Sequence, residues 1–305
     1  MSPRPARPVD RLFALYALAA GLALAFPHRP PAWPLLAAAH LAAAALALRA
    51  GPAGRLLEAA ARRWPRAART AGDWYPLLLL PLLYTELAVL NQAVHGGRYF
   101  DALVQAWEER IFGGQPSRVF WQAAPSLALS ELLHGAYLSY YFLIYLPPLA
   151  LYRRAPEAFG RLLFPLLLTF FVHYLFFIYL PVQGPRYLFP PPDGPPARGA
   201  LYALAHRVLE AGSSRGAAFP SSHVAVAVAQ TLLTARLLPR LCPAVALLTV
   251  GLAAGAVYGG FHYATDVAAG AALGAALVAL APALERRLAP PATPRAPARA
   301  GTAAP

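Results

Sequence analysis

Lysine is missing from this chain: all 26 basic residues are arginine. With the heavy alanine and proline usage this fits a GC-rich genome and carries no mechanism. Cysteine is nearly missing too. Cys242 stands alone, so no intramolecular disulfide can form and a cysteine-based metal site is excluded. Charge is scarce, at 13% of residues against 58% hydrophobic, and mean hydropathy is positive. That excludes a soluble two-domain enzyme and indicates a multi-spanning membrane protein. Acids are few, which leaves a net charge of +13. The arginines flank apolar spans, so the excess reads as basic loops at a membrane face and nucleic acid is not expected as a partner.

Long apolar runs organise the rest into an all-α, polytopic membrane protein of about eight spans. Leu12–Pro27 is the first, read as a retained anchor. Trp33–Leu48 is the second, and a basic segment from Arg49 to Arg69 follows. Trp74–Val94 is the third span. Residues 95–118 read as a loop with a short amphipathic piece. Val119–Leu151 is too long for one span and reads as an interfacial helix, a break at Pro125, and a fourth span from about Glu131. Leu162–Leu180 is the fifth. Residues 181–218 form a Pro/Gly-rich loop, and Ser222–Leu238, Pro243–Phe261 and Thr265–Leu284 complete the count. Three regions result: 1–72, a two-span extension with the basic segment; 73–285, the catalytic domain; and 286–305, a Pro/Ala/Arg tail expected to be disordered. Eighteen arginines fall on the side of the two termini and eight on the other. The positive-inside bias therefore puts both termini in the cytoplasm and the protein in the cell membrane.

Two short segments place polar chemistry at helix mouths, where it is costly and therefore points to function. In Pro220-Ser221-Ser222-His223, proline suits a first helical position, the serines suit a helix start, and the free N–H groups there make an anion site. In His262-Tyr263-Ala264-Thr265-Asp266, the imidazole and the carboxylate are four apart and share one face if helical. A carboxylate beside an imidazole fixes its tautomer and raises its basicity. On the eight-span topology Arg186, His223 and His262 all fall on the extracytoplasmic side. Gly251, Gly255 and Gly259, then Gly270 and Gly274, recur at helix-packing spacing and are expected to hold the seventh and eighth spans together.

These residues resemble the type 2 phosphatidic acid phosphatase (PAP2) superfamily, whose motifs are Lys-x6-Arg-Pro, Pro-Ser-Gly-His and Ser-Arg-x5-His-x3-Asp. The second reads Pro220-Ser221-Ser222-His223 here, the third keeps His262-x3-Asp266, and the first is reduced to Gln183-Gly184-Pro185-Arg186-Tyr187. Tyr179, Tyr187 and Gly255-Ala256 stand where the motif Lys, Pro and Ser-Arg would fall. Ser130–Tyr141 and Ile111–Pro116 look like the branch of inositolphosphotransferases that act on sphingolipids. The resemblance spans roughly residues 75–285 and implies a six-helix core bundle.

It also implies roles. His262 attacks phosphorus and forms a phosphohistidine, Asp266 holds its ring N–H, and His223 protonates the leaving oxygen. Arg186 and the helix start at Ser221 and Ser222 hold the phosphate. Arg215 is the first candidate to replace a missing cation. No cofactor or metal is implied. The substrate would be a phospholipid or a polyprenyl phosphate, with either water or an alcohol as acceptor. A headgroup transferase is the main alternative, and a transporter or a non-catalytic lipid-binding protein explains less of the motif pairing. Oligomeric state is open. Glu86, Glu131, His134 and His173 are expected to be paired structurally.

Overall fold

The computed structural model describes residues 6–290. Thirteen α-helices make up the described chain: α1 Pro8–Gly21, α2 Trp33–Ala47, α3 Gly51–Arg63, α4 Pro65–His95, α5 Asp101–Phe112, α6 Pro116–Ala123, α7 Leu127–Leu138, α8 Tyr140–Arg154, α9 Phe159–Tyr179, α10 Ala200–Gly212, α11 Ser222–Leu237, α12 Cys242–Tyr258 and α13 Ala264–Leu288. No strand forms among the described residues. By length and composition, four helical segments can cross a membrane: Pro8–Ala25, Pro65–His95, Pro156–Tyr179 and Ala264–Leu288. Trp33–Ala47 and Cys242–Tyr258 are shorter apolar helices.

The centre of the bundle is α9. Its sequence is apolar all round, and fifteen of its 21 residues are buried, as expected of a helix with protein on every side. It packs against α1, α4, α11 and α13. Aromatic rings from α1 key into it: Tyr16 stacks on Phe171 at 4.5 Å, and Phe13 meets the same ring edge-on at 5.9 Å. At one end of the bundle Arg7 joins Asp10 and Asp73, and Arg11 reaches Ala289. The two ends of the described chain therefore lie together. At the other end Asn91, His95 and Tyr179 close α4 and α9, and the polar motifs gather there.

Several boundaries differ from the sequence reading, each for a local reason. The boundary at 72/73 falls inside α4, which runs unbroken past Asp73. The chain does break at Pro125, between α6 and α7, where Ser126 caps α7. It breaks again at Ser139, whose hydroxyl donates to Ala136 O and closes α7 before α8 begins. The segment 95–118 is not mainly loop: α5 occupies twelve of its residues. The Pro/Gly-rich loop contains α10, an amphipathic helix whose first N–H groups, Leu201 N and Tyr202 N, donate to the carboxylate of Glu131. At the tail, α13 continues to Leu288, so Arg286 and Arg287 are helical, and 291–305 lie outside the described residues.

The small residues pack differently from expectation. Gly270 and Gly274 bring α13 onto α11. A Cβ on Gly270 would strike Ser221 O, and one on Gly274 would lie 2.5 Å from Ala225 O. Gly251 and Gly255 face α7 instead, against Ala136 and the Leu133 carbonyl. The glycines thus join the last helix to the one that starts at Ser221, and α12 to α7, rather than α12 to α13.

Candidate active site

The start of α11 sets the first histidine. Ser221, not Pro220, is the structural beginning: its hydroxyl accepts from Val224 N at 3.4 Å, the N-cap arrangement. Pro220 precedes the cap and follows a cis peptide bond, so it is not the first helical residue the sequence suggested. His223 is the second residue of the helix. Ser221 N donates to Asp266 O at 2.9 Å, which ties the start of α11 to the first turn of α13.

His262 is not helical. It sits in the bend between α12 and α13, where its N–H donates to Ala256 O at 3.0 Å. Asp266 is the third residue of α13 and accepts from Tyr263 N at 2.9 Å. The bend still brings the side chains together: His262 Nδ1 is 3.4 Å from Asp266 Oδ2 and 3.1 Å from the carbonyl of Ala218. The i, i+4 pairing exists, but a helix-start loop makes it rather than one helical face.

These contacts fix the protons. A carbonyl oxygen can only accept, and so can a carboxylate, so His262 Nδ1 carries the hydrogen and Nε2 carries the lone pair. That lone pair faces His223 Nδ1 at 3.4 Å, with the ring centroids 5.5 Å apart. His223 Nδ1 is then the donor, and its Nε2 accepts from Tyr137 OH at 3.3 Å. Tyr137 also stacks on the His223 ring, and Tyr140 packs on it at 4.2 Å. Two imidazoles 39 residues apart in sequence therefore share one line of hydrogen bonds, from Tyr137 through His223 and His262 to Asp266.

A cavity of about 30 Å³ opens above the rings, lined by His223, His262, Tyr137, Arg186, Ser213 and Gln183 among others. It has room for a water molecule. A larger cleft of about 220 Å³ adjoins it. Arg186 lines both, and Arg118, Trp121, Gln122, His206 and Glu210 line the second. Arg186 donates to Ser213 Oγ at 3.0 Å and lies over the ring of Tyr187. Arg215 lines neither cavity. It donates to Gln183 Oε1 at 2.6 Å and lies over Tyr99 and Tyr187. Ser221 and Ser222 are buried at the helix start beside His223 and do not line the cavity.

Of the residues named from sequence, His223, His262, Asp266 and Arg186 come together, with Ser221 and Ser222 beneath them and Arg215 one contact away. The PAP2 superfamily model matches residues 103–280, more than half of the chain. The chain belongs to the PAP2 superfamily. Membership supports an activity of phosphatase or phosphotransferase type. No curated protein and no solved structure matches the chain.

Other residues of this candidate site carry no role in the sequence reading. Tyr137 and Tyr140 flank His223 from the break between α7 and α8. Ser213 holds Arg186. Glu108, from α5, accepts from Thr265 N at 2.8 Å and so steadies the first turn of α13. Burial raises the Glu108 carboxyl above its ordinary range, and the Thr265 donors oppose that. Burial also raises the phenol of Tyr263, next to His262. His206, in the second cleft, is pushed down to about 4, first by burial and then by the positive charges of His134 and Arg186. A legible signal existed for part of this: Asp101, Val104, Gln105 and Glu108 lie one helical turn apart along a single face.

The polar residues expected to be paired are paired in part, since the Nε2 atoms of His134 and His173 are buried without a hydrogen-bond partner among the described residues. His40 faces Glu86 at 3.5 Å, His173 Nδ1 donates to Thr169 O, and His134 Nδ1 donates to Ser130 O.

Proposed function

We propose that this protein is an integral-membrane phosphatase or phosphotransferase that cleaves a lipid phosphate ester through a phosphohistidine, without a metal ion. The supporting observation is the orientation of His262: two acceptors hold its Nδ1–H and turn the Nε2 lone pair toward a cavity shared with His223 and Arg186. Nε2 attacks phosphorus as the bond to the leaving oxygen breaks. Protonated His223 gives that oxygen its proton. Arg186 and the N–H groups at the start of α11 hold the phosphoryl oxygens. A second acceptor then attacks phosphorus, its proton passes to His223, and the N–P bond breaks.

The substrate reads as a phospholipid or polyprenyl phosphate entering from the outer leaflet, with both termini in the cytoplasm. The second cleft, next to Arg186 and larger than water requires, favours the alternative of an alcohol acceptor and an inositolphosphotransferase-like transfer. The test is purified protein, in chelator, with a panel of ³²P-labelled lipids, with and without inositol. The expected result is turnover without metal and acid-labile, base-stable label on the protein that disappears in His262→Ala. Released phosphate marks hydrolysis, and a new phosphodiester lipid marks transfer. Label that persists in His262→Ala, or turnover abolished by chelator, overturns the mechanism.

A further inference from the structure

Helix α5 lies outside the helices long enough to span a membrane. One of its faces points into the site's supports. Asp101 lies there, 5% exposed. One carboxylate oxygen accepts from Gly184 N at 2.9 Å and from Tyr263 OH at 3.2 Å, and the other accepts from Gln183 N at 3.0 Å. Gln183 and Gly184 immediately precede the turn that carries Arg186. Tyr263 immediately follows His262. Tyr263 OH also accepts from Gln105 Nε2 at 2.9 Å, one turn further along α5.

Val104 sits between the two polar residues and packs with Val182, Ala218 and Tyr263 in a small apolar cluster separate from the bundle core. Ala218 is the residue whose carbonyl holds His262 Nδ1. The same cluster is stitched by a short parallel bridge, in which Val182 N donates to Gly216 O and Ala218 N donates to Val182 O. Gly184 has φ +93°, and a Cβ there would crowd Ala218 and Phe261 O. The positive φ and the close approach to Ala218 and the His262 bend both favour glycine there.

We propose that Asp101 is a positioning residue: a single buried carboxylate that locks the Arg186 loop and the His262 bend to each other. It touches neither substrate nor reacting atoms. It sets the separation between the cation and the lone pair that must meet on one phosphoryl group. The active-site roles of His262 and Arg186 rest on the reading above; the mechanical coupling does not. Asparagine at this position keeps the shape but replaces an acceptor oxygen with a donor, which cannot take the backbone N–H it faces.

The experiment is hydrogen exchange with peptide resolution on the full-length protein in detergent, beside kinetics with labelled lipid. In Asp101→Asn, segments 182–187 and 261–266 are expected to exchange faster together, with α9 unchanged. Turnover is expected to fall about 10²-fold in kcat, as a displacement of about 1 Å in reacting groups does, with KM moving less. In Tyr263→Phe, which removes only the hydroxyl, segment 261–266 alone loosens. Wild-type exchange in both segments of Asp101→Asn overturns the coupling, whatever the activity. If Asp101→Asn does not fold, wild-type exchange and kcat in Tyr263→Phe overturn it instead. A wild-type protein that turns over no lipid, with coupled loosening still present in Asp101→Asn, leaves the coupling standing and sinks the functional reading.

Discussion

Two segments deliver the two histidines to one cavity, and they are built differently. α11 is a buried helix seated against α8, α9, α12 and α13. His223 is carried to its place by packing and by a serine cap at the helix start. The stretch from Gly259 to Tyr263 has no helix of its own. His262 is placed by hydrogen bonds: from its own N–H to Ala256, from its ring to Ala218 and Asp266, and through Tyr263 to Asp101. A packed helix spreads its positional information over many apolar contacts, each small. A hydrogen-bonded bend concentrates it in a few polar atoms, each costly to lose when buried. The comparison predicts that side-chain chemistry near His223 can be changed without disturbing the fold, whereas changes around His262 disturb geometry and chemistry together.

The largest effect tests the first half of that comparison. His223→Ala is expected to lower turnover by about 10²–10⁴-fold, the usual worth of general acid–base help. The helix around it is held by Ser221 and by apolar packing, so the midpoint of thermal unfolding should stay close to wild type. A large fall in that midpoint together with activity would make His223 a structural member of the bundle.

Next in size is the contrast between two arginines on one loop. Arg186 lines both cavities, while Arg215 lines neither and is held by Gln183, Tyr99 and Tyr187. Charge-assisted hydrogen bonds contribute about 1.5–3 kcal/mol. Arg186→Gln should therefore lower kcat/KM by roughly 10- to 100-fold. Arg215→Gln should lower it by less than about fivefold, through the loop alone, because surface charges contribute about 0–1 kcal/mol. Steady-state kinetics on the labelled lipid reads both. The reverse order would move the phosphate seat to Arg215.

Gly274→Ala probes the packed half directly. The added methyl meets the backbone of Ala225, which cannot rotate away as a side chain can. Overpacking of this kind costs about 1–3 kcal/mol. A lowered thermal midpoint is expected, with kcat falling only as far as α13 shifts Asp266. An unchanged midpoint would mean that the two helices do not approach this closely.

The same contrast explains what the sequence let a reader see. Apolar runs such as Leu162–Leu180 announce α9 because most residues in it are buried. The pair His262 and Asp266 was legible because costly groups at a helix mouth are conspicuous. The reason given for that pairing did not hold: spacing of four suggested a helical face, while the chain makes the contact through a bend before α13. Helix α10 was hidden by its surroundings, since Pro and Gly on both sides of Ala200–Gly212 read as loop. Asp101, Gln105 and Glu108 were hidden differently. Their spacing puts them on one helical face, but their partners are backbone N–H groups and the hydroxyls of Tyr263 and Thr265, 82 to 162 residues away, and such partners leave no mark on composition or periodicity. Tyr137 stood in the stretch Ser130–Tyr141, yet only the break at Ser139 and the stacking on His223 give it a role.

The smallest expected effect concerns pH and the helix that overlies the site. His206 lies on α10 with its ring against Tyr202 and Phe261, the neighbour of His262. Its folded-state value of about 4 is below the unfolded value of about 6.5, chiefly because burial disfavours the charged ring. Between those two values the unfolded chain binds more protons than the folded one. This group's contribution to stability is therefore fully present above about pH 6.5 and is lost as pH falls toward 4. His134 and Arg186 face the ring, and their positive charge disfavours its protonation further. Thermal unfolding at pH 7.5 and pH 5 should show a drop in the wild type that shrinks in His206→Phe. A drop of equal size in His206→Phe would mean that the ring is solvated in the second cleft, and that α10 sits more loosely over the bend than over the bundle.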